Sequence, residues 1–276
     1  MPTWLITGCS TGLGRALAEE VIAAGHGAVV TARDESTVSD LVALAPDRVL
    51  GAALDVTDPA RAAAVVQQAE DRFGAVDVLV NNAGYGYRAA VEEGEDADVR
   101  TLFDTHFFGS VTMIKAVLPG MRARRAGAIV NLSSIGAHIT PAGSGYYAGV
   151  KAAVEGMSGS LRAELQPLGI SVTVVAPGGF RTDFSGRSLT QSRSVIDDYA
   201  ETAGKRRKER DTTHGTQPGD PARAGRAILT AVESAEPPAM LLLGSDALTS
   251  YRQVLNTALA EADTWEELSV STDFQD

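Results

Sequence analysis

The sequence predicts a single-domain α/β fold, one doubly wound parallel sheet of about seven strands with helices on both faces. Three observations predict it. Short runs of β-branched and apolar residues alternate with longer stretches whose apolar residues recur every three or four positions. Several of the short runs are apolar almost throughout, as in strands buried on both faces of a parallel sheet. The first run leads directly into a glycine-rich turn and then into a helical pattern.

Strands are read at 4–7 (WLIT), 28–32 (AVVTA), 49–54 (VLGAAL), 76–82 (VDVLVNN), 128–134 (AIVNLSS), 170–177 (ISVTVVAP) and 239–244 (AMLLLG). Helices are read at 13–24, 59–73, 98–121 and 144–168, with another beginning near Pro221. Repeated βα units of this kind connect right-handedly. From 183 to about 220 the chain turns polar, and Ser, Thr, Arg and Asp replace the periodic apolar residues. Ligands bind at the carboxyl edge of such sheets, so this insertion is read as a substrate lid, with an idle surface excursion as the alternative. The last residues, rich in Glu and Asp, are read as a helix ending in a loose tail.

Composition narrows the function classes. The formal net charge is -11, from 24 Lys and Arg against 35 Asp and Glu, which argues against nucleic acid as a partner. The one basic cluster, KRRKER at 205–210, is read as a solvated helix face. Cys9 is the single cysteine, so no intrachain disulfide forms, and it is read as a small loop filler. The histidines His26, His138 and His214 show no metal-like spacing, so no metal is expected. No apolar run is long enough to span a bilayer and no targeting segment is visible, so a cytoplasmic protein is expected.

The turn TGCSTGLG occupies 7–14, between the first strand and the first helix. Gly8, Gly12 and Gly14 let the backbone approach a pyrophosphate, and the helix N-terminus offers unpaired N–H groups and a positive dipole end. The spacing T-G-x-x-x-G-x-G resembles that of the short-chain dehydrogenase/reductase family, whose members have a Rossmann-like sheet and bind NAD(H) or NADP(H). The resemblance implies that Gly8, Ser10, Thr11, Gly12, Leu13 and Gly14 contact the cofactor. It places Asp55 and Val56 at the adenine, Asn82, Ala83 and Gly84 beside the adenosine ribose, and Pro177, Gly178 and Thr182 at the nicotinamide end. The second strand ends in TARD, where Ala32 stands at the position that often carries a ribose-binding acid and Arg33 follows it. A guanidinium without a competing carboxylate pairs with a 2′-phosphate, which favours NADP(H) over NAD(H), although Asp34 is adjacent. Ser10 reaches that phosphate if the resemblance holds.

Tyr147 and Lys151, in YAGVK, fall at i and i+4 on one helix face. An ammonium beside a phenol is expected to lower its pKa. Ser134 lies thirteen positions before Tyr147, the spacing the family shows. By resemblance, Ser134 holds the substrate carbonyl oxygen, Tyr147 exchanges a proton with it, and Lys151 binds the nicotinamide ribose. Tyr146 and Ser133 are displaced from these positions and are read as packing or structural residues. In THFFG, His106 occupies the place of the family's tetrad asparagine, which helps keep a water next to the lysine. A neutral imidazole forms similar hydrogen bonds, so His106 is read as a functional replacement in preference to a purely structural histidine.

The reading that results is an NADP(H)-dependent oxidoreductase interconverting a carbonyl and a secondary alcohol, with Tyr147 as general acid and base. An apolar ketone or alcohol, steroid-like or similarly bulky, is the expected substrate, with Phe180, Phe184 and Leu189 lining its pocket or seating the lid. The alternatives are a non-catalytic NADP(H)-sensing or regulatory protein, and an epimerase or dehydratase holding NAD(H) tightly. Retention of both Tyr147 and Lys151 argues against the first, and the short remainder after Thr182 against the second. The resemblance further implies a homodimer or homotetramer joined through helices 98–121 and 144–168, where Ala152, Ala153 and Gly156 permit close approach.

Overall fold

The computed structural model describes residues 1–276 except Arg187, His214, Gln275 and Asp276. Two residues of the polar insertion, Arg187 and His214, thus lie outside the described residues. The first half runs β1 (Thr3–Ile6), α1 (Gly12–Ala23), β2 (Gly27–Ala32), α2 (Ser39–Leu44), β3 (Val49–Ala53), α3 (Pro59–Phe73), β4 (Val78–Asn81), β5 (Gly86–Arg88), α4 (Asp96–Phe103) and α5 (Gly109–Arg124). The second half runs β6 (Gly127–Leu132), α6 (Gly136–Ile139), α7 (Gly145–Leu165), β7 (Ile170–Pro177), β8 (Leu189–Gln191), α8 (Ala203–Thr213), α9 (Pro221–Val232), β9 (Met240–Leu243), α10 (Ser245–Thr264) and α11 (Glu266–Val270).

Seven strands form one parallel sheet in the order β3-β2-β1-β4-β6-β7-β9. This is the doubly wound, Rossmann-like arrangement read from the apolar runs. Alternate residues of each strand feed different cores. Ile6, Val30, Val80 and Val130 face α1 and α9, while Leu5, Val29, Leu79 and Ile129 pack under α3, α5 and α7. That two-sided burial explains why the strands show no polar alternation. Strand order reverses between β1 and β4, so the carboxyl ends of these strands open the crevice in which such sheets bind ligands.

Local chemistry sets the helix ends. Asp58 caps α3 by accepting from the N–H groups of Ala60 and Arg61, Pro59 opens it, and Gly74 closes it at φ 86°. Asp220 and Pro221 begin α9 in the same way. No helix among the described residues is long and apolar enough to cross a membrane.

The structure departs from the sequence reading in two places that matter for the site. The stretch read as one helix at 98–121 is two helices joined by a π-helical turn, Asp104–Phe108, which carries His106. Such single turns re-aim side chains within an otherwise α-helical path. The polar insertion also contributes a strand, since β8 pairs in parallel with β5, Gly86 opposite Leu189 and Arg88 opposite Gln191. Three residues per strand are too few to show a period in the sequence. The C-terminal end holds helical structure through Val270, with every residue from Leu255 to Phe274 exposed.

Candidate active site

The site is built on the strand ends at the crevice. Thr7 follows β1, and its Oγ1 accepts from the N–H groups of Asn82 at 2.9 Å and Ala83 at 3.0 Å. Asn82 answers with its side chain, donating from Nδ2 to the carbonyls of Thr7 at 2.8 Å and Gly8 at 3.0 Å. The β4 end therefore clamps the glycine turn from below. Gly8 and Gly12 hold φ of 74° and 68°, a region that only glycine enters at little cost. A Cβ on Gly14 would lie 2.6 Å from the Gly8 carbonyl oxygen and would collide with Asn82. Thr11, the N-cap of α1, makes no side-chain cap, which leaves the first helical N–H groups facing the crevice. This cradle of missing Cβ atoms and open amides fits a dinucleotide pyrophosphate.

Around the turn, Ser10, Thr11 and Leu13 are half-buried, and Leu13 also packs on the core. Cys9 is buried, donates to the Ile6 carbonyl at 3.2 Å, and has its thiol pushed up to about 12 by burial. It is a packing residue, as read. Arg33 leaves the end of β2 exposed and makes no hydrogen bond or ion pair among the described residues. Asp34 is occupied elsewhere. Its carboxylate accepts from Ser36 N at 3.0 Å and Ser36 Oγ at 2.7 Å, and these bonds lower its pKa. Asp55 likewise accepts from Thr57 N at 3.0 Å and Oγ1 at 2.7 Å. Those bonds hold the Asp55 carboxyl low, and the Arg33 charge adds to the effect. Val56 beside it is buried.

The second half of the site gathers on α7 and the turn after β6. Ser134 Oγ accepts from Gly136 N at 3.0 Å and is hydrogen-bonded to Tyr147. Lys151 is buried, with Nζ 5.8 Å from the centre of the Tyr147 ring and donating to the Leu132 carbonyl at 2.7 Å. Burial pulls Lys151 down to about 7. The pKa of Tyr147 departs from the expectation of a depressed phenol. Desolvation raises it, and the Ser134 hydrogen bond only partly counters that.

His106 is also brought into this group. Its Nε2 accepts from Tyr85 N at 3.0 Å and lies 2.8 Å from Tyr85 O, while Nδ1 is buried without a partner among the described residues. Burial, reinforced by the Lys151 charge, drives its pKa well below 6.5, so the ring is neutral. Gly84 lies against that ring, and a Cβ there would stand 2.7 Å from Nδ1. Ala83 instead packs on the core and abuts Gly8.

The turn after β7 completes the crevice. Thr182 reaches the glycine turn, since a Cβ on Gly12 would lie 3.8 Å from the Thr182 Cβ. Gly178 and Gly179 are pinned by Asp246 of α10, whose Oδ2 accepts from Gly179 N at 2.7 Å and whose carboxylate fills the space a Gly178 Cβ would need. The sequence reading missed Asp246, because nothing in the spacing ties position 246 to position 178. Phe184 reaches the site with its ring 5.8 Å from that of Tyr147, whereas Phe180 packs on the core and Leu189 is buried against Gly86. Pro177 ends β7, buried, beside this turn.

The insertion is tied down by Glu93, a second residue the sequence did not expose. Glu93 is 3% exposed, accepts from Ala90 N and Ile196 N at 2.9 Å each, and forms an ion pair with Arg207 of α8. Arg207 belongs to the basic run read as a solvated face, and the fold instead turns it inward. Ser192 adds a bond from its hydroxyl to the Glu93 carbonyl.

The family model described as short chain dehydrogenase matches residues 2–193. The chain belongs to the short-chain dehydrogenase family. Among its relatives, oxidoreductase BOA17 of Botryotinia fuckeliana is 36% identical over 270 residues, covering 98% of each chain. A 3-ketodihydrosphingosine reductase of Bacteroides thetaiotaomicron is 37% identical over 237 residues, 85% of this chain and 84% of that one. A short-chain dehydrogenase from Streptomyces avermitilis superposes with a TM-score of 0.92 at 42% identity, covering 99% of this chain and 98% of that chain. This short-chain dehydrogenase is accordingly an oxidoreductase.

Proposed function

We propose that this dehydrogenase interconverts a carbonyl and a secondary alcohol with NADP(H), using Ser134, Tyr147 and Lys151. The observation that carries the reading is the Ser134–Tyr147 hydrogen bond with Lys151 beside it, at the mouth of the same crevice as the glycine cradle. When bound, the nicotinamide supplies or accepts the hydride. Ser134 Oγ orients the carbonyl oxygen, and Tyr147 delivers its phenolic proton to that oxygen as the alcohol forms. A phenol whose pKa is raised stays protonated at neutral pH, which suits the reductive direction. Lys151 holds the ribose hydroxyls and the positive charge next to Tyr147. His106 takes the role of the family's tetrad asparagine as a neutral hydrogen-bonding group.

The preference for NADP(H) rests on Arg33 and its neighbour. Arg33 is exposed and uncommitted among the described residues, while Asp34 is consumed in capping its own turn. A 2′-phosphate thus meets a guanidinium, and the neighbouring carboxylate is turned to its own backbone. Gly8, Ser10, Thr11, Gly12, Leu13 and Gly14 would hold the phosphates, Asp55, Val56, Asn82, Ala83 and Gly84 the adenosine, and Pro177, Gly178 and Thr182 the nicotinamide end. An apolar substrate is supported by Phe184 against Tyr147, and by a relative whose name assigns it 3-ketodihydrosphingosine. The segment from 183 to 220 is then the substrate lid.

A homo-oligomer through α5 and α7 is supported by exposed Ala152 and Gly156 and by the open space beside Gly149, Gly156 and Gly159. Sedimentation showing only a monomer at micromolar concentration would remove that part of the reading.

Titration with NADPH and with NADH, following nicotinamide fluorescence in the wild type and in Arg33→Ala, tests the cofactor assignment. NADPH is expected to bind tightly and to lose about tenfold or more in affinity on the substitution, with NADH little changed. A panel of apolar ketones with the wild type and Tyr147→Phe tests the chemistry. Absence of turnover in the wild type, or unaltered turnover in Tyr147→Phe, overturns it.

A further inference from the structure

Behind the catalytic group lies a second polar cluster to which the mechanism assigns no work. Tyr147, Lys151 and Glu155 occupy i, i+4 and i+8 of α7 and so line one face. The Glu155 side chain is only 14% exposed. Its Oε1 accepts from Ser133 Oγ, and its Oε2 lies 3.0 Å from Nε2 of His138 in α6. His138 is packed edge-on against Tyr251 of α10, with ring centres 4.8 Å apart. Ser133 immediately precedes Ser134, and Leu132, one residue earlier, holds the Lys151 ammonium through its carbonyl.

We propose that Glu155 is a positioning residue for this active site: its carboxylate ties the Ser133–Ser134 turn to α7 and supplies the negative charge that faces Lys151. This rests on the functional reading above only in assigning Lys151 its role.

The surroundings of Lys151 leave that work to Glu155. From the π-helical turn the group facing it is His106, which is neutral and whose own pKa the Lys151 charge depresses. From α7 it is Tyr147, a protonated phenol. The β6 exit offers the Leu132 carbonyl and the hydroxyls of Ser133 and Ser134. His138 of α6 and Tyr251 of α10 stand beyond the carboxylate. Burial pulls Lys151 down, and among the described residues Glu155 is the charge that pulls it up. An ammonium neutralised near neutral pH would leave the ribose site without its cation. The carboxylate delays that loss to higher pH.

The test uses the whole chain and reads Lys151 directly. The sequence has four lysines, Lys115, Lys151, Lys205 and Lys208, so ¹³C-lysine NMR of the unliganded protein resolves Lys151, assigned with Lys151→Met. In Glu155→Gln, which keeps an oxygen to accept from Ser133 but removes the charge, the Lys151 midpoint is expected to fall by about one pH unit or more. Glu155→Asp, which keeps the charge at longer reach, is expected to show a smaller but measurable fall. The pH profile of turnover should follow, with Glu155→Gln near wild type on the acid side and down about tenfold on the basic side. A Lys151 midpoint unchanged in a folded E155Q protein overturns the proposal. Should E155Q fail to fold, the same NMR comparison between Glu155→Asp and wild type, with the longer Asp-to-Lys reach, must show a lowered midpoint, and an unchanged one overturns the proposal. If wild type binds no nicotinamide cofactor but the Lys151 midpoint falls in Glu155→Gln as expected, the functional reading falls and the positioning role stands.

Discussion

The imidazole of His106 stands edge-on to the ring of Tyr147, with 5.9 Å between ring centres and 89° between planes. The π-helical turn aims it there, and Tyr85 holds it through Nε2. Burial excludes a charged ring, so the contact brings a neutral hydrogen-bonding group, not a cation, next to the tyrosine and lysine.

His106→Asn is therefore expected to keep turnover within a few-fold of wild type, and His106→Ala to lose about 10- to 100-fold, measured as kcat for ketone reduction. Equal loss in both variants would assign His106 a packing role alone. Stability should report the same burial. Because the folded pKa lies below the 6.5 of the free group, the neutral ring costs nothing above pH 6.5 and progressively more stability is lost as pH falls below it. Acid unfolding in His106→Asn should accordingly begin at lower pH than in wild type.

Lys151 carries the opposite balance of function and stability. Its pKa falls from 10.5 unfolded to about 7 in the folded protein, so stability is full above 10.5 and is lost as pH falls towards 7. Lys151→Met removes this penalty. Its Tm is expected to exceed that of wild type by roughly 5 °C or more near neutral pH, with the difference closing towards pH 10.5. Turnover should be abolished in the same variant. Wild-type turnover should also decline as pH rises through about 7, as the ammonium loses its proton.

The clamp beneath the glycine turn separates cofactor binding from folding. Gly14→Ala places a methyl into the Asn82 amide and within 2.6 Å of the Gly8 carbonyl, so the turn must move. Dinucleotide affinity should fall about 100-fold or more while the sheet, which does not depend on this turn, stays folded by circular dichroism. Asn82→Ala, which leaves the Thr7 and Gly8 carbonyls without the amide at 2.8 and 3.0 Å, should weaken binding about tenfold. Unchanged affinity in both would mean the turn does not hold the cofactor.

Glu93 tests the lid. Glu93→Ala leaves Arg207 without its buried partner and frees the N–H groups of Ala90 and Ile196, and breaking such a pair costs about 3–5 kcal/mol. The expected outcome is faster hydrogen exchange across 189–207, a raised KM for the ketone and little change in dinucleotide affinity. If the KM is unaltered while exchange rises, the segment does not cover the substrate.

What the sequence by itself determined was whatever rests on local chemistry and period. The seven strands, the helix start near Pro221 and the glycine turn were legible because each depends on side chains within a few positions of one another. Tyr147 and Lys151 fall on one helix face by their own spacing and Ser134 was singled out by resemblance, and the structure brings the three together. Tertiary structure alone decided the rest, because the partners are far apart in the chain. Glu93 meets Arg207 across more than a hundred residues, Asp246 pins Gly178 and Gly179 from the last long helix, and Arg207 is turned inward out of a run that looks solvated. The π-helical turn under His106 leaves no mark on an apolar period, and the rise in the Tyr147 pKa comes from desolvation by neighbours that only folding brings together. Burial and long-range pairing are properties of the packed chain, and no single stretch of residues contains them.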